Sequence, residues 1–187
     1  MPSKVGRELQ QALAALRPRL RRFAYGLTGS LEEADEVVQS AYVRALARLD
    51  QWQPGTRLDS WMYRIVQTVQ YNRYRSANTR RAHGDSVDPD SLIGSDDSLG
   101  EARATLGKVR QFIWSLSEEH RAVLLLVTVE GLSYKETADT LGIPIGTVTS
   151  RLARARLALA DMLAGRTPAE AMIQTAHQVG GNHEPYR

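Results

Sequence analysis

Three arginines stand close together in the segment GIPIGTVTSRLARAR (142–156), among small and β-branched residues. Guanidinium groups at this spacing can hold phosphates or bind guanine in the major groove through two hydrogen bonds. The chemistry indicated is recognition of a polyanion rather than catalysis. A surface helix with solvated arginines is the alternative interpretation, and the arginines alone do not decide between the two.

The residues before these arginines predict a helix-turn-helix. Ser133 and Glu136 have the Ser-x-x-Glu spacing of a capping box, which predicts a helix over 134–141. Gly142 suits a left-handed helix end, and Pro144 prevents that helix from continuing. A second helix over 145–163 completes the motif, and the combination favours DNA binding.

At 100° per residue, the second helix has an inward stripe and an outward side. The stripe consists of Val148, Leu152, Ala155 and Leu159. Ser150, Ala153, Arg154 and Leu157 lie outward, with Thr147 beside them and Arg151 and Arg156 at the edges. We expect Arg154 and Ser150 to read bases and the flanking arginines to hold phosphates. The candidate DNA-contacting residues are Thr147, Thr149, Ser150, Arg151, Arg154 and Arg156.

A second candidate surface lies in DSWMYRIVQTVQYNRYR (59–75). Asp59 or Ser60 can cap the start of this helix. Its apolar face comprises Met62, Ile65, Val66 and Val69, and the opposite side comprises Tyr63, Arg64, Gln67, Tyr71, Tyr74 and Arg75. Tyrosines interleaved with arginines can stack on single-stranded bases and neutralise their phosphates. Tyrosines that pack half-buried with wet hydroxyls are the alternative.

Charge is distributed unevenly along the 187 residues. Residues 1–83 carry 14 Lys and Arg against 7 Asp and Glu, residues 84–101 carry none against 6, and residues 102–187 carry 10 against 8. The middle segment is also rich in Gly, Ser and Pro, which is typical of a linker. A basic lobe beside an acidic linker favours a polyanion partner.

These patterns predict an all-α fold of two small helical domains joined by an acidic flexible linker. The domains are predicted at 1–83 and 102–163, with the linker at 84–101 and a tail of unknown role at 164–187. Ser117 is a candidate N-cap for the apolar run after it. Helices are predicted near 5–27, 31–50, 59–80, 102–114, 118–130, 134–141 and 145–163, with a further short one near 168–178.

Several functional classes find no support in the composition. The chain has no cysteine, and His177 and His183 of the tail lack a third partner, so we expect no metal or other cofactor. No phosphate-binding glycine loop or nucleophile motif is present, so no enzymatic role is expected. The absence of a long apolar run or a signal peptide predicts no membrane insertion and a cytoplasmic location.

Three stretches in this order resemble the extracytoplasmic-function sigma factors of bacterial RNA polymerase, over about residues 10–163. EEADEVVQSAYVRAL (32–46) resembles the polymerase-docking helix, and WQPGTRLDSWMYRI (52–65) the loop and helix that open the minus-10 promoter element. The third stretch, LSEEHRAVLLLVTVEGLSYKETADTLGIPIGTVTSRLARAR (116–156), resembles the domain that reads the minus-35 element.

The resemblance implies a function and a set of partners. The first lobe would dock on the β′ clamp helices of core RNA polymerase and capture a flipped base of promoter DNA. The second lobe would contact the β flap and read duplex DNA, while the linker threads into the polymerase channel. An anti-sigma factor is the further implied partner, and phosphodiester chemistry belongs to the polymerase.

The resemblance also implies site residues. For polymerase docking they are Asp35, Glu36, Val38, Gln39 and Tyr42. For the minus-10 element they are Thr56, Arg57, Asp59, Ser60, Trp61, Arg64, Thr68, Tyr71, Asn72 and Arg75. The chain departs from the family pattern at Glu36 (Asp in the family), Ser40 (Glu), Thr68 (often Asn) and Thr149 (often Arg or Lys).

A stand-alone helix-turn-helix regulator, with a sensing or dimerising N-terminal domain, is the alternative function. Such a regulator has no need for an aromatic and basic face beside a polymerase-docking helix, so residues 59–75 distinguish the two hypotheses.

Overall fold

A computed structural model of the chain describes residues 4–82 and 100–163. These two ranges contain seven α-helices, one 3₁₀ turn and no strand, which confirms the all-α prediction. The elements are α1 (Lys4–Thr28), α2 (Leu31–Ala47), the 3₁₀ turn (Leu49–Gln51), α3 (Leu58–Ala82), α4 (Gly100–Ser115), α5 (Glu118–Thr128), α6 (Tyr134–Leu141) and α7 (Ile145–Leu163). Most of the predicted linker and the whole predicted tail, with its short helix and two histidines, lie outside the described residues.

The first lobe, residues 4–82, packs α1, α2 and α3 against one another. Phe23 of α1 and Tyr63 of α3 are fully buried, and their rings meet edge to face with centroids 5.1 Å apart. Val37 and Ala41 of α2 complete the contact from the third side. Small residues on α2 let this helix pack closely against α1 and α3. The packing of the lobe fixes the direction of α3.

The second lobe, residues 100–163, is built around α7. Val148, Leu152 and Ala155 are buried against Phe112 and Val123 of the preceding helices. The inward stripe predicted for 145–163 is therefore confirmed, with Leu159 partly buried at its end. Burial of this stripe fixes the rotation of α7 about its axis, so the opposite side faces outward.

Helix ends follow the predicted signals around the turn. The Ser133 hydroxyl accepts from the Glu136 backbone N–H (3.2 Å), and the Glu136 carboxylate accepts from the Ser133 N–H (2.8 Å). This is the predicted capping box. Gly142 has φ 66°, a left-handed conformation that glycine adopts without a steric penalty. The capping box and the glycine helix end each depend only on residues within four positions of one another, so both could be predicted from the sequence alone.

One prediction about helix ends was confirmed in position, and two were wrong. Ser117 is the N-cap residue of α5, as predicted, but its hydroxyl contacts His120 Nδ1 at 2.5 Å and makes no capping bond to the helix backbone. Helix α3 begins at Leu58, so neither Asp59 nor Ser60 is its N-cap. Helix α2 ends at Ala47, and Leu49 lies in the 3₁₀ turn.

The two lobes pack directly on each other, which the prediction of two linked domains did not include. Ala122, Leu125 and Leu126 of α5 and Leu132 after it join the core of the first lobe. Gly26 of α1 allows this approach, since a β-carbon there would stand 2.7 Å from a Leu125 methyl group.

Arg121 ties the ends of two helices together. Its guanidinium donates to the carbonyls of Ile113 (3.0 Å), Trp114 (2.7 Å) and Leu116 (2.8 Å) near the end of α4. It also donates to the carbonyl of Leu27 near the end of α1, at 2.5 Å. These carbonyls have no partner further along their own helices, and a cation at a helix C-terminus also complements the helix dipole. Burial lowers the pKa of Arg121, though not enough to remove its charge near neutral pH.

Within the described ranges, no helix has the length and apolar character needed to cross a membrane.

Replacing Ser133 with Ala should lower the free energy of unfolding by about 1 kcal/mol, because the first turn of α6 loses its side-chain cap. Urea denaturation followed by circular dichroism measures the change. Ser117→Ala is the matched control, since that hydroxyl caps no backbone group. Equal losses in the two variants would contradict the assigned role of the capping box.

Candidate nucleic-acid interface

The outward side of α7 is polar, small and accessible. Thr149, Ser150, Ala153 and Arg154 are all exposed, directly opposite the buried stripe. Small residues let the axis of a helix lie close to base edges in a major groove about 12 Å wide. The geometry therefore fits a helix that enters DNA with this side leading.

The hydroxyls on this side bond to their own helix. Thr149 Oγ1 donates to the Ile145 carbonyl at 3.1 Å, and Ser150 Oγ donates to the Thr147 carbonyl at 3.1 Å. Thr147 itself is half-buried at the first turn, with its N–H bonded to the Pro144 carbonyl at 2.9 Å. The first turn is thus held rigidly where a DNA-reading helix makes its base contacts.

The three arginines of α7 have different surroundings. Arg151 is partly buried and forms an ion pair with Glu119 of α5. Arg154 and Arg156 are exposed. A guanidinium that is already paired with a carboxylate gains less free energy from binding a phosphate. The ion pair with Glu119 therefore argues against Arg151 as a phosphate contact. Of the three arginines, Arg154 is the best placed to reach a base.

His120 lies near the same arginines. Burial lowers the pKa of its imidazole, and the positive charges of Arg151 and Arg154 lower it further. These effects favour the neutral ring over the imidazolium, so they work against a positive charge on His120 beside the outward side of α7.

On α3, most of the side chains predicted opposite the apolar face are exposed. Tyr71, Asn72 and Arg75 are exposed toward the C-terminal half of the helix, together with Arg64 and Thr68. Tyr74 is also exposed, at 52% of its full area. The Thr68 hydroxyl donates to the Arg64 carbonyl at 2.8 Å. Aromatic rings beside arginines are thus available for stacking here.

Tyr63 was predicted on the same exposed side, and that prediction was wrong. The ring is fully buried, and its hydroxyl donates to the Glu130 carboxylate. Burial raises the pKa of Tyr63, and the hydrogen bond to Glu130 raises it further, so the hydroxyl keeps its proton. At 100° per residue Tyr63 lies at the border of the apolar face, where packing between the lobes decides its environment.

The loop before α3 is anchored by its own bonds. Thr56 Oγ1 donates to the Gln53 carbonyl at 2.7 Å, and Gly55 has φ 91°. Arg57 makes two hydrogen bonds to Asp59, at 3.1 and 2.7 Å, and an ion pair with Glu136 of α6. These contacts with Arg57, the largest of several causes, hold the pKa of Asp59 below its usual value.

Ser60 and Trp61 follow in the first turn of α3, and both are half-buried. The Ser60 N–H donates to Asp59 at 2.8 Å, and Trp61 packs against the core of the first lobe. Of the predicted minus-10 residues, those at the start of α3 are therefore engaged within the protein, whereas Thr68, Tyr71, Asn72 and Arg75 are exposed.

The predicted docking residues of α2 divide into two groups. Asp35, Glu36 and Gln39 are exposed, with Asp35 bonded to Arg21 (2.6 and 3.0 Å) and Glu36 to Arg73 (2.7 Å). Val38 lies in the core of the first lobe, and Tyr42 is half-buried, with its hydroxyl bonded to the Leu13 carbonyl at 2.6 Å. Val38 is therefore closed to a partner, whereas Tyr42 remains partly accessible.

Two exposed apolar residues of α2 escaped the sequence reasoning. Val43 and Leu46 are 63% and 54% exposed, and with Gln39 they form a stripe at helical spacing. The signal was present in the sequence, since both residues lie off the helical series that is buried in α2, which comprises Ala34, Val37, Val38, Ala41 and Ala45. A partly apolar stripe flanked by carboxylates is a surface suited to another protein rather than to DNA.

Among the described residues, no group of three or more His, Asp or Glu side chains could hold a metal ion.

Comparison with known proteins matches both lobes. Sigma-70 region 2 matches residues 13–80, and sigma-70 region 4 matches residues 106–159. The chain is 33% identical to the ECF RNA polymerase sigma factor EcfG of Rhodopseudomonas palustris (strain TIE-1) over 156 residues, which cover 83% of this chain and 84% of that relative.

Two solved structures share the fold. The sigma factor RpoE, in a complex with the anti-sigma factor NepR from Bartonella quintana, matches with TM-score 0.69 and 26% identity, over 84% of this chain and 97% of that one. CnrH, in a complex with the cytosolic domain of CnrY, matches with TM-score 0.64 and 27% identity, over 86% and 90%.

Arg154→Ala should weaken binding to a preferred duplex by about 1–3 kcal/mol if this side chain reads a base, and should relax specificity at one position. The duplex is selected from a random pool, and binding is compared with that of a scrambled sequence at the same salt concentration. Arg156→Ala is the matched control and should weaken binding to both duplexes equally. If Arg154→Ala loses the same binding free energy on both duplexes, Arg154 contacts a phosphate and does not read a base.

Proposed function

Because the chain belongs to the sigma-70 family of RNA polymerase sigma factors, in its extracytoplasmic-function group, we propose that its two lobes read two different promoter elements. The protein is a transcription initiation subunit that directs core RNA polymerase to promoters. The finer division proposed is residues 1–83 for polymerase docking and the minus-10 element, 84–101 for the linker, and 102–163 for the minus-35 element. The observation that carries it is that each lobe presents its own exposed polar helix face, on α3 and on α7.

We assign duplex reading to α7. Its outward side combines Arg154, whose fork can bind guanine O6 and N7, with the small residues that permit close approach. Thr149, Ser150 and Thr147 contribute at the first turns, and Arg156 contributes phosphate contacts. Arg151 takes part only if DNA displaces Glu119 from its ion pair.

We assign single-strand capture to the C-terminal half of α3. Tyr71 offers a ring for stacking, while Thr68 and Asn72 offer hydrogen bonds to a base edge and Arg75 a positive charge for the backbone. Each stacked base is worth about 1–3 kcal/mol, enough to favour an unpaired strand over the duplex locally. Trp61, Arg64 and the residues from Thr56 to Ser60 would extend this surface once they are free.

Docking on the polymerase β′ clamp helices is assigned to α2. Asp35, Glu36 and Gln39 supply the polar rim, and the stripe of Val43 and Leu46 supplies apolar area. The acidic linker fits a channel that accommodates nucleic acid, because both are negatively charged. We propose contact of the second lobe with the β flap on family grounds alone.

The remaining partners and properties follow from the same family membership. Sigma factors are non-enzymatic, and we propose that this chain likewise leaves phosphodiester chemistry to the polymerase. An anti-sigma partner is supported by the RpoE–NepR complex, because 97% of the RpoE chain in that complex matches this chain. We propose that the protein acts in the cytoplasm, where polymerase and promoters are.

The alternative of a stand-alone helix-turn-helix regulator is not favoured. Such a protein would need only the second lobe for DNA, whereas residues 13–80 match sigma-70 region 2. The exposed aromatic and basic face of α3 also has no role in a regulator that binds duplex alone.

Run-off transcription with purified core polymerase tests the function. Core enzyme alone should give no promoter-specific product, and adding this protein should give a product of defined length. Templates come from upstream regions bound by the holoenzyme. If defined products fail to appear on every bound template, the protein does not act as a sigma factor.

Tyr71→Ala should lower the stability of the open promoter complex by about 1–3 kcal/mol while leaving closed-complex binding nearly unchanged, because stacking is gained only when the strand is single. Permanganate reactivity of thymines at the minus-10 element measures opening. Tyr71→Phe keeps the ring and is the matched control. Unchanged reactivity in Tyr71→Ala would remove this residue from strand capture.

A further inference from the structure

An ion pair joins the first turn of α5 to the edge of α7. Arg151 Nη2 donates to the Glu119 carboxylate, across 32 positions of the chain. The Glu119 side chain is 54% exposed, whereas only 21% of the Arg151 side chain is exposed. The guanidinium of Arg151 is therefore directed toward α5, in contrast to the exposed side chains of Arg154 and Arg156 on the same helix.

This ion pair lies beside the outward side of α7. Arg151 follows the exposed Ser150 directly and stands nearly one turn before Arg154. His120, the residue after Glu119, lies near all of these charges. Burial lowers the pKa of His120 most, the charges of Arg151 and Arg154 lower it further, and the charge of Glu119 raises it. The Glu119 carboxylate thus stands within electrostatic range of the guanidinium that is proposed to read a base.

The packing of α7 does not depend on this ion pair. Val148 and Leu152 of α7 are buried with Val123 and Leu124 of α5 in one apolar core. That core already fixes the position of α7 on α5, and a partly exposed ion pair adds little to the free energy of unfolding. A purely structural role does not explain why a guanidinium at the edge of the proposed reading side is bound to a carboxylate.

An unpaired carboxylate at this place would oppose DNA binding. Duplex DNA carries one negative charge per about 1.7 Å of its axis, so a Glu119 side chain without a partner would repel the phosphates that approach α7. Because like charges brought together at an interface cost free energy, a cation is needed to offset this carboxylate. Arg151 supplies that cation from within the protein, before any DNA is bound.

We infer that Arg151 acts on DNA binding through Glu119, as an internal counter-ion that prevents the carboxylate from repelling phosphates, and that Arg151 itself does not contact DNA. The inference rests on the proposed duplex reading by α7 and deepens it, because it removes one arginine from the set of DNA contacts. Arg151 is thus a positioning residue, whereas Arg154 and Arg156 keep their proposed contacts with a base and with phosphate.

Four chains test this role, each assembled with core polymerase: the wild type, Arg151→Ala, Glu119→Gln and the double variant. Their binding to a duplex selected by the wild-type complex is measured by fluorescence anisotropy at low salt concentration. Arg151→Ala should weaken binding about tenfold, because Glu119 loses its counter-ion. Glu119→Gln should bind at least as tightly as the wild type, since no carboxylate remains to be offset. The double variant should return to within about twofold of the wild type.

Salt dependence supplies a second measurement. The double variant has the same net charge as the wild type, so it should keep the wild-type slope of log K against log salt concentration. A lost phosphate contact would instead reduce the magnitude of that slope by about 0.9.

Two controls separate the pair from general effects of charge. Arg156→Ala should keep its loss of binding when it is combined with Glu119→Gln, because Arg156 is proposed to contact phosphate directly. Asp50→Asn, which removes an exposed carboxylate of the first lobe, should not rescue Arg151→Ala. Thermal melting followed by circular dichroism verifies that each variant is folded, and Arg151→Gln replaces Arg151→Ala if the alanine variant is not.

Three results would overturn the inference. A double variant as weak as Arg151→Ala means that Arg151 contacts DNA directly. Equal losses in Arg151→Ala and Glu119→Gln mean that the ion pair serves packing alone, and no loss in Arg151→Ala means that Glu119 needs no counter-ion. A wild-type complex that selects no duplex contradicts the proposed function itself, and the inference falls with it, so the wild-type measurement distinguishes the two failures.

Discussion

The burial of α5 from opposite sides constrains the whole molecule. Its residues 122–126 are all buried, yet they divide between two cores. Ala122, Leu125 and Leu126 pack with the first lobe, whereas Val123 and Leu124 pack with the second. A helix with no polar side at its centre cannot rest on one partner alone. The orientation of α7, the position of α6 on α3, and the ties at Arg121 and Glu130 all depend on this double burial.

Local signals explain how much of the fold the sequence could predict. The capping box at Ser133, the turn at Gly142 and the stripe that begins at Val148 each depend on residues a few positions apart, and all three were predicted correctly. The buried state of Glu130 was not, because its partners Arg22 and Tyr63 lie 108 and 67 positions away. The apolar run of α5 indicates burial on all sides, since it leaves no polar side to face water. It does not indicate which surface of the protein covers it.

The candidate site was predictable to the same extent. Arg154, Ser150 and Tyr71 lie on the exposed sides where helical periodicity placed them. Periodicity could not place Tyr63 or the pairing of Arg57 with Glu136, because both depend on contact between lobes. Whether a residue at the border of a helix face is buried or exposed depends on the element that packs beside it. That element is determined by tertiary structure and not by helical periodicity.

Under the proposed assignment of duplex reading to α7, the hydroxyls of Thr149 and Ser150 bear on which bases the helix would accept. Each gives its only proton to a carbonyl of α7, so each presents only lone pairs to DNA. Lone pairs complement the exocyclic amino groups of adenine and cytosine and repel the O6 and N7 atoms of guanine. Arg154 has the opposite preference. If α7 reads the duplex as proposed, the lone pairs of Thr149 and Ser150 would match a base that donates, and the Arg154 guanidinium would match a base that accepts.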